Sequence, residues 1–287
     1  MSALPPFFTD YQALVAQELQ RIVPDRGTAV ERSMAYTALA SSKQVRAVLV
    51  MLCAELCRGQ AARAVPAAAA IELVHASSLI LDDLPSMDDA PLRRGRPANH
   101  REFGEATAIL AAFGLLNLAY GTIARAYEPA LAARMSALIS DAVGPEGLIG
   151  GQALDLEATD QAIGFEMLER IHRGKTGALF VAAAAVGGML ANIHPAPLQR
   201  IEVFAKNLGL AFQITDDILD VVGNPDHLGK DVGKDEQKLT FVKLAGVDGA
   251  KKLSVELVET SIASIANLGP AAAPLRELAV MVRDRVR

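Results

Sequence analysis

The sequence predicts an all-α fold, a large helical bundle, and three observations carry that prediction. Apolar residues recur at helical spacing along nearly the whole chain, and no alternating strand pattern of any length interrupts them. Hydrophobic residues make up 51% of the chain, aromatics only 5%, and Trp is absent, so small aliphatic side chains let helices approach closely. No Pro/Gly/Ser-rich linker divides the 287 residues, and one domain spanning 1–287 is expected.

The elements follow in order. Leu14, Val15, Leu19, Ile22 and Val23 form one stripe of a helix from about Asp10 to Val23, which the stretch from Pro24 to Gly27 breaks. A second helix covers Val30 to Leu39, and Ser41-Ser42 marks the turn before a third, Val45 to Cys57. Pro66 can open a long helix running through Leu73 and Leu81 to a pair of aspartates, because proline lacks an N–H that a first turn would leave unused. Pro85 and Pro91 then force a loop, which continues through Arg93-Arg94-Gly95-Arg96-Pro97. Further helices are expected at about 104–125, 128–141, 146–158, 164–172, 175–192 and 196–221, with Lys175-Thr176 opening one of them. The polar, Gly-rich stretch 223–238 is the longest expected loop, and two shorter helices close the chain.

Composition bounds what the chain does. A formal net charge of −5 argues against nucleic acid as a partner. Cys53 and Cys57, four apart on one helix, read as buried thiols in a reducing compartment. The N-terminus has no basic stretch followed by an apolar one, so no secretory signal is read and a cytoplasmic location is expected. Residues 106–124 carry no charge and are long enough to cross a bilayer. Thr107, Gly114, Asn117, Tyr120, Gly121 and Thr122 dilute that run, however. It and the apolar run after Lys175 are read as central helices, apolar all round because they are surrounded, with no membrane span.

Two aspartate clusters hold the chemistry: Asp82, Asp83, Asp88 and Asp89 in one, Asp216, Asp217 and Asp220 in the other. Each follows an apolar helical run, where converging carboxylates repel one another unless a counter-charge joins them. Two such clusters facing one cavity point to hard divalent cations gripping a polyanion such as a diphosphate. Gln213, Asp216, Asp217 and Asp220 fall at i, i+3, i+4 and i+7, on one helix face. A solvated acidic face would interleave Lys or Glu, whereas these acids sit in an otherwise apolar helix, which favours metal. His75, Ser78 and Asp82 share a face in the same way. His75 is then either a hydrogen-bonded core residue or part of the site. Asp88 joins Asp82 if Pro85 lets the loop fold back.

Basic residues adjoin both clusters: Arg93-Arg94 after the first, Lys43 and Arg46 at a helix start, Lys175-Thr176 at another, and Lys230, Lys234 and Lys238 in the Gly-rich loop. Each alone reads as a surface charge. Together they make a composite diphosphate site the more economical account. Gly229-Lys230 is no P-loop, since no strand precedes it.

These residues resemble a known family, the trans-type (E-) polyprenyl diphosphate synthases, and most of all the bacterial geranylgeranyl/farnesyl diphosphate synthases. The resemblance covers nearly the whole chain. It runs through Glu72-x-x-His75, Asp82-Asp83-x-x-x-x-Asp88-Asp89, Arg93-Arg94-Gly95-x-Pro97-x-x-His100 and Gly151-Gln152-x-x-Asp155. It continues through Lys175-Thr176-Gly177, Gln213-x-x-Asp216-Asp217-x-x-Asp220, Gly229-Lys230-Asp231 and Lys238-x-Thr240-Phe241. The resemblance implies an isoprenoid-synthase bundle with a central active-site cavity, a homodimer, and Mg²⁺ as cofactor, about three ions per site. Asp82, Asp88 and Asp216 would be direct ligands, with Asp83, Asp217 and Asp220 in support. Arg93, Lys175 and Lys230 would hold an allylic diphosphate (dimethylallyl, geranyl or farnesyl). Thr176 and Gln213 would line the carbocation left when diphosphate departs. Lys43, Arg46, His75 and Arg94 would hold isopentenyl diphosphate, whose double bond attacks that cation.

The chain departs from the family at two places. Ser41-Ser42-Lys43-Gln44-Val45-Arg46-Ala47 keeps Lys43 and Arg46 but replaces two glycines, an arginine and a proline. Ala112-Phe113 stands where Gly-Asp is usual, and Phe113 would either plug the tail tunnel or pack in the core. Ser77 and Ser78, small residues just before Asp82, would form the tunnel floor. Farnesyl-producing relatives tend to carry an aromatic at the Ser77 position, so the expected product is geranylgeranyl diphosphate (C20), with farnesyl diphosphate (C15) as the alternative. A class I terpene cyclase and a non-catalytic partner subunit are the competing classes. Asp216 to Asp220 and the Lys43/Arg46/Arg94 set argue against the cyclase, and the two intact aspartate motifs argue against the partner subunit.

Overall fold

The computed structural model describes residues 4–24, 27–56, 61–159, 161–222 and 239–285. Lys230 and the rest of the Gly-rich stretch 223–238, together with Cys57, lie outside them. The helices are α1 (Pro6–Ile22), α2 (Ala29–Ala38), α3 (Val45–Glu55), α4 (Ala61–Asp82), α5 (Asn99–Phe103), α6 (Glu105–Ala126), α7 (Pro129–Val143), α8 (Leu148–Glu157) and α9 (Phe165–His172). They continue with α10 (Ala178–Leu190), α11 (Pro195–Val222), α12 (Phe241–Ser264) and α13 (Ala273–Asp284). The only strands among the described residues are β1 (Leu92–Arg93) and β2 (Arg96–Pro97), paired antiparallel in the expected loop. Their connection, Arg94-Gly95, has φ of 56° and 73°, as a tight two-residue hairpin turn requires.

Local chemistry explains several boundaries. Thr28 and Glu31 form a reciprocal capping box that starts α2. Gly104, with φ of 82°, separates α5 from α6. α10 is buried along almost its whole length and packs on α3 through Gly187, where a Cβ would fall 2.4 Å from the Val50 carbonyl oxygen. Leu49, Met51, Ile71, Leu73, Phe180 and Phe204 are buried in the main core shared by α3, α4, α10 and α11. A smaller cluster, including Ile214, Ile218 and Phe241, anchors the far part of α11 against α12.

Four sequence expectations need correction. Pro66 does not open α4 but lies inside it. Its ring disturbs the local hydrogen bonding, and the Tyr127 hydroxyl takes up the slack: it accepts from the Ala67 N–H at 3.1 Å and donates to the Arg63 carbonyl at 2.7 Å. Lys175-Thr176 does not open a helix either; it lies in a π-helical turn, Arg173–Gly177, that joins α9 to α10. The first closing element, α12, is two helices that meet at a kink at Gly246 (φ 71°, ψ 166°), so three α-helical pieces and not two close the described chain.

The fourth correction concerns α6, which is not surrounded. Ala108, Ala111, Ala112, Leu115 and Ala119 face the core, while Leu110 is 56% exposed and Phe113 64% exposed. Phe113 therefore neither plugs a tunnel nor packs in the core. α4 and α6 are both long and apolar enough to cross a membrane, and 67% of the apolar window of α4 is buried inside the bundle against 39% for α6.

Candidate active site

The first aspartate cluster is built by the end of α4 and the turn after it. The Asp88 N–H donates to the Asp82 carbonyl at 3.0 Å and the Ala90 N–H to that of Asp83 at 3.1 Å. The loop thus folds back at Pro85, as the sequence suggested. Asp82 and Asp83 share Arg93, which lies 3.7 Å from Asp82 Oδ2, but differ in exposure and in how they are held. The Asp83 side chain, 3% exposed, accepts the Arg93 Nε–H at 2.9 and 3.1 Å and is held by a second guanidinium nitrogen as well. Burial raises its pKa, Arg93 offsets this, and Asp82 and Asp88 add to the rise. The Asp82 side chain is 17% exposed, and its Oδ1 lies 3.0 Å from Lys175 Nζ, in ion-pair contact without hydrogen-bond alignment.

The second cluster repeats the division. Asp217 is buried; it accepts from Gln213 Nε2 at 2.9 Å and from the Phe241 N–H, at the start of α12, at 3.1 Å. Asp216, 28% exposed at its side chain, meets Arg285 at 2.7 Å. Asp220 is partly buried on the same face.

The π-helical turn joins the two clusters. Lys175 Nζ reaches Asp82 on one side and Asp155 of α8, at 2.8 Å, on another. Thr176 Oγ1 donates to Gln213 Oε1 at 3.0 Å on α11. The turn fits between α8 and α11 because glycines line the approach: a Cβ on Gly174 would meet the Gly147 carbonyl at 2.9 Å, and one on Gly151 would meet the Lys175 nitrogen at 2.1 Å. Burial acts to lower the pKa of Lys175, but Asp82, Asp155 and Asp88 outweigh it and the net shift is upward. Lys175 is a fixed cation.

A second set of basic groups surrounds Glu72. Its Oε1 accepts from the Ala47 N–H at 3.1 Å, and burial raises its pKa against the pull of Arg46. Arg46 Nη1 lies 3.3 Å from His75 Nε2, and the guanidinium covers the Phe180 ring at 4.7 Å. Burial first, then Arg46, Arg94 and Arg93, push the His75 pKa well below its ordinary value of 6.5, so the ring is neutral. Ser78 Oγ donates back to the His75 carbonyl at 2.8 Å, whereas Ser77 Oγ donates across to the Ala112 carbonyl of α6 at 2.8 Å. The two candidate floor residues thus make different contacts: Ser78 within α4 and Ser77 between α4 and α6.

Among the described residues no three carboxylate, imidazole or thiol groups converge closely enough to hold a metal ion unaided. Mg²⁺ is characteristically held by one or two carboxylates completed by substrate phosphate oxygens and water. The donor set fits that pattern. Asp82 and Asp216 are the more open members of their pairs and Asp88 lies beside Asp82, while Asp83 and Asp217 are locked to protein partners.

Sequence reasoning missed two participants. Asp155 stood only as part of a motif match, and its hold on Lys175 depends on the packing of α8 against the π-helical turn. Arg285, just beyond α13, bridges to Asp216 and lies over the Phe212 ring at 4.7 Å. Nothing local in the sequence separates it from a surface arginine.

Residues 28–265 match the Polyprenyl synthetase family. The chain is 42% identical over 239 residues to geranylgeranyl pyrophosphate synthase 6, mitochondrial, of Arabidopsis thaliana, covering 79% of this chain and 71% of that protein. It is 37% identical over 262 residues to farnesyl diphosphate synthase of Geobacillus stearothermophilus, covering 89% and 88%. Among solved structures, a geranyltransferase from Helicobacter pylori, complexed with magnesium and isoprenyl diphosphate, superimposes with a TM-score of 0.84 at 28% identity, covering 99% of this chain and 98% of that one. The all-α bundle and its paired aspartate clusters are those of an isoprenoid-diphosphate enzyme. The chain belongs to the polyprenyl synthetase family.

Proposed function

We propose that the protein is a trans-prenyltransferase that condenses isopentenyl diphosphate with an allylic diphosphate. The observation that carries this reading is the π-helical turn, which meets one aspartate cluster through Lys175 and reaches Asp217 of the other through Thr176 and Gln213. Family membership supports it, and residues 1–287 are taken as one synthase domain.

In this reading Asp82, Asp88 and Asp216 hold Mg²⁺, with Asp83, Asp217 and Asp220 supporting them. Mg²⁺ held by these carboxylates would supply positive charge that stabilises the leaving diphosphate. Lys175, Arg93 and Lys230 hold the same diphosphate. The Thr176 hydroxyl donates its hydrogen bond to Gln213 Oε1, so the lone pairs of the Thr176 oxygen are free to face the allylic cation. Gln213 is itself oriented by its bond to Asp217. Lys43, Arg46, neutral His75 and Arg94 hold isopentenyl diphosphate, so its double bond attacks C1 of the cation. A C–C bond forms, a proton leaves to the departing diphosphate, and the alkene is restored. Dry apolar surroundings would be needed there, because water would quench the cation.

The product assigned is geranylgeranyl diphosphate, supported by the small side chain of Ser77. Farnesyl diphosphate is the alternative, favoured by the similarity to the Geobacillus enzyme. The protein is assigned to the cytoplasm and to a homodimer. The test supplies Mg²⁺ and dimethylallyl, geranyl or farnesyl diphosphate, with and without isopentenyl diphosphate. Elongation that needs both substrates and is lost with a chelator is expected. A cyclic hydrocarbon from the allylic substrate alone would instead mark a class I terpene cyclase.

A further inference from the structure

Lys43 lies on a short loop between α2 and α3, and two features of that loop are unusual. Gln44, the residue that enters α3, has φ of 48°, a left-handed conformation that a side chain disfavours. No side-chain cap at Gln44 compensates, and its own Oε1 is buried without a hydrogen-bond partner. The loop is secured from elsewhere. Gln12, on α1, donates from one amide nitrogen to two successive carbonyls, Ser42 at 3.2 Å and Lys43 at 2.8 Å.

α1 is a firm support for that contact. Phe8, Val15 and Leu19 are buried in the main core, and the neighbouring Tyr11 hydroxyl is hydrogen-bonded to Glu55 at the end of α3. Lys43 is exposed, and burial of its stem and the Arg285 charge disfavour its ammonium while Asp216 favours it.

We infer that Gln12 is a positioning residue for the isopentenyl diphosphate pocket: its amide clamps the Ser42 and Lys43 carbonyls, holds Gln44 left-handed, and so fixes where the Lys43 ammonium points. This rests on the reading of Lys43 as a ligand of that diphosphate. The left-handed residue, Gln44, stands where the family resemblance places an arginine, while Ser41 and Ser42, in place of glycines, are not left-handed, so what the clamp holds is a residue whose side chain resists that conformation.

The test is steady-state kinetics on the full chain with Mg²⁺, varying each substrate against a saturating concentration of the other. Gln12→Leu removes both hydrogen bonds, and Gln12→Glu keeps the side-chain shape while removing the donor. Both variants should raise KM for isopentenyl diphosphate by about tenfold, while kcat and KM for the allylic diphosphate stay within about twofold of wild type. Adding Gln44→Gly to either variant should recover at least about threefold of the lost affinity, because the loop then needs less holding. Lys43→Ala is the control for the underlying reading. If it raises KM for isopentenyl diphosphate and neither Gln12 variant does, the clamp is overturned and the pocket stands. If Lys43→Ala also leaves that KM unchanged, both fall. Far-ultraviolet circular dichroism and thermal unfolding establish that each variant is folded, and a kcat loss equal to the KM effect would mark a structural role and overturn the inference.

Discussion

Asp82 and Asp83 are chain neighbours that do different work, and Asp216 and Asp217 repeat the pattern. On a helix, adjacent residues point about a third of a turn apart, so one can face the cavity while the other turns into the protein. Asp83 turns to Arg93, and Asp217 to Gln213 and the start of α12. A doubled aspartate in the sequence is thus one open carboxylate and one that fixes the local frame. His75 gives a pH test at the same scale. Its folded pKa lies below the unfolded value of 6.5, so acid protonates the unfolded chain first. The stability tied to neutral His75 is fully present above the unfolded value and is lost as pH falls through the window down to the folded one. Between about pH 8 and pH 5.5, wild type should lose up to about 1 kcal/mol more than His75→Gln, read from urea unfolding midpoints. Equal losses would contradict a buried, neutral ring.

At the scale of elements, α4 carries both the first cluster and the candidate floor of the tail tunnel. Ser77 lies where α4 meets the backbone of α6, bonded to the Ala112 carbonyl. Ser77→Phe must place its ring either between those helices or in the tail space, so the product should shift from C20 toward C15. Overpacking should also lower stability by about 1–3 kcal/mol. Chromatography of the dephosphorylated products checks the first effect and thermal unfolding the second; an unchanged product distribution would remove Ser77 from the floor. The elements were largely legible in the sequence because apolar period and turn residues are local signals. The i, i+3, i+4, i+7 spacing by itself puts Gln213, Asp216, Asp217 and Asp220 on one helix face. What escaped was non-local. Pro66 is tolerated within α4 because Tyr127, from beyond the end of α6, repairs the backbone. The π-helical turn depends on the close approach of Gly174 to Gly147 and of Gly151 in α8 to Lys175, which sequence spacing does not relate. Gln12 and Arg285 act only through the packing of the two ends of the described chain.

For the whole molecule, the exposed face of α6 is the feature that a single chain leaves unexplained. Ile109, Leu110 and Phe113 form an apolar strip on the side of α6 that turns away from the core-facing Ala108, Ala111, Ala112 and Leu115. If the protein is the proposed homodimer, this strip is the surface that a second copy would cover, since two-fold pairing reuses one patch on both chains. Leu110→Arg combined with Phe113→Arg should then halve the mass measured by sedimentation equilibrium; an unchanged mass would move the interface elsewhere or show a monomer. The central claim, however, concerns how the two aspartate clusters act together. It is tested most directly by mass analysis of the products from dimethylallyl diphosphate and excess isopentenyl diphosphate with Mg²⁺. The account predicts linear diphosphates growing by one five-carbon unit at a time, ending chiefly at C20, and none when the metal is chelated. Recovery of the primer unchanged, with geranyl and farnesyl diphosphate equally inert, would contradict it.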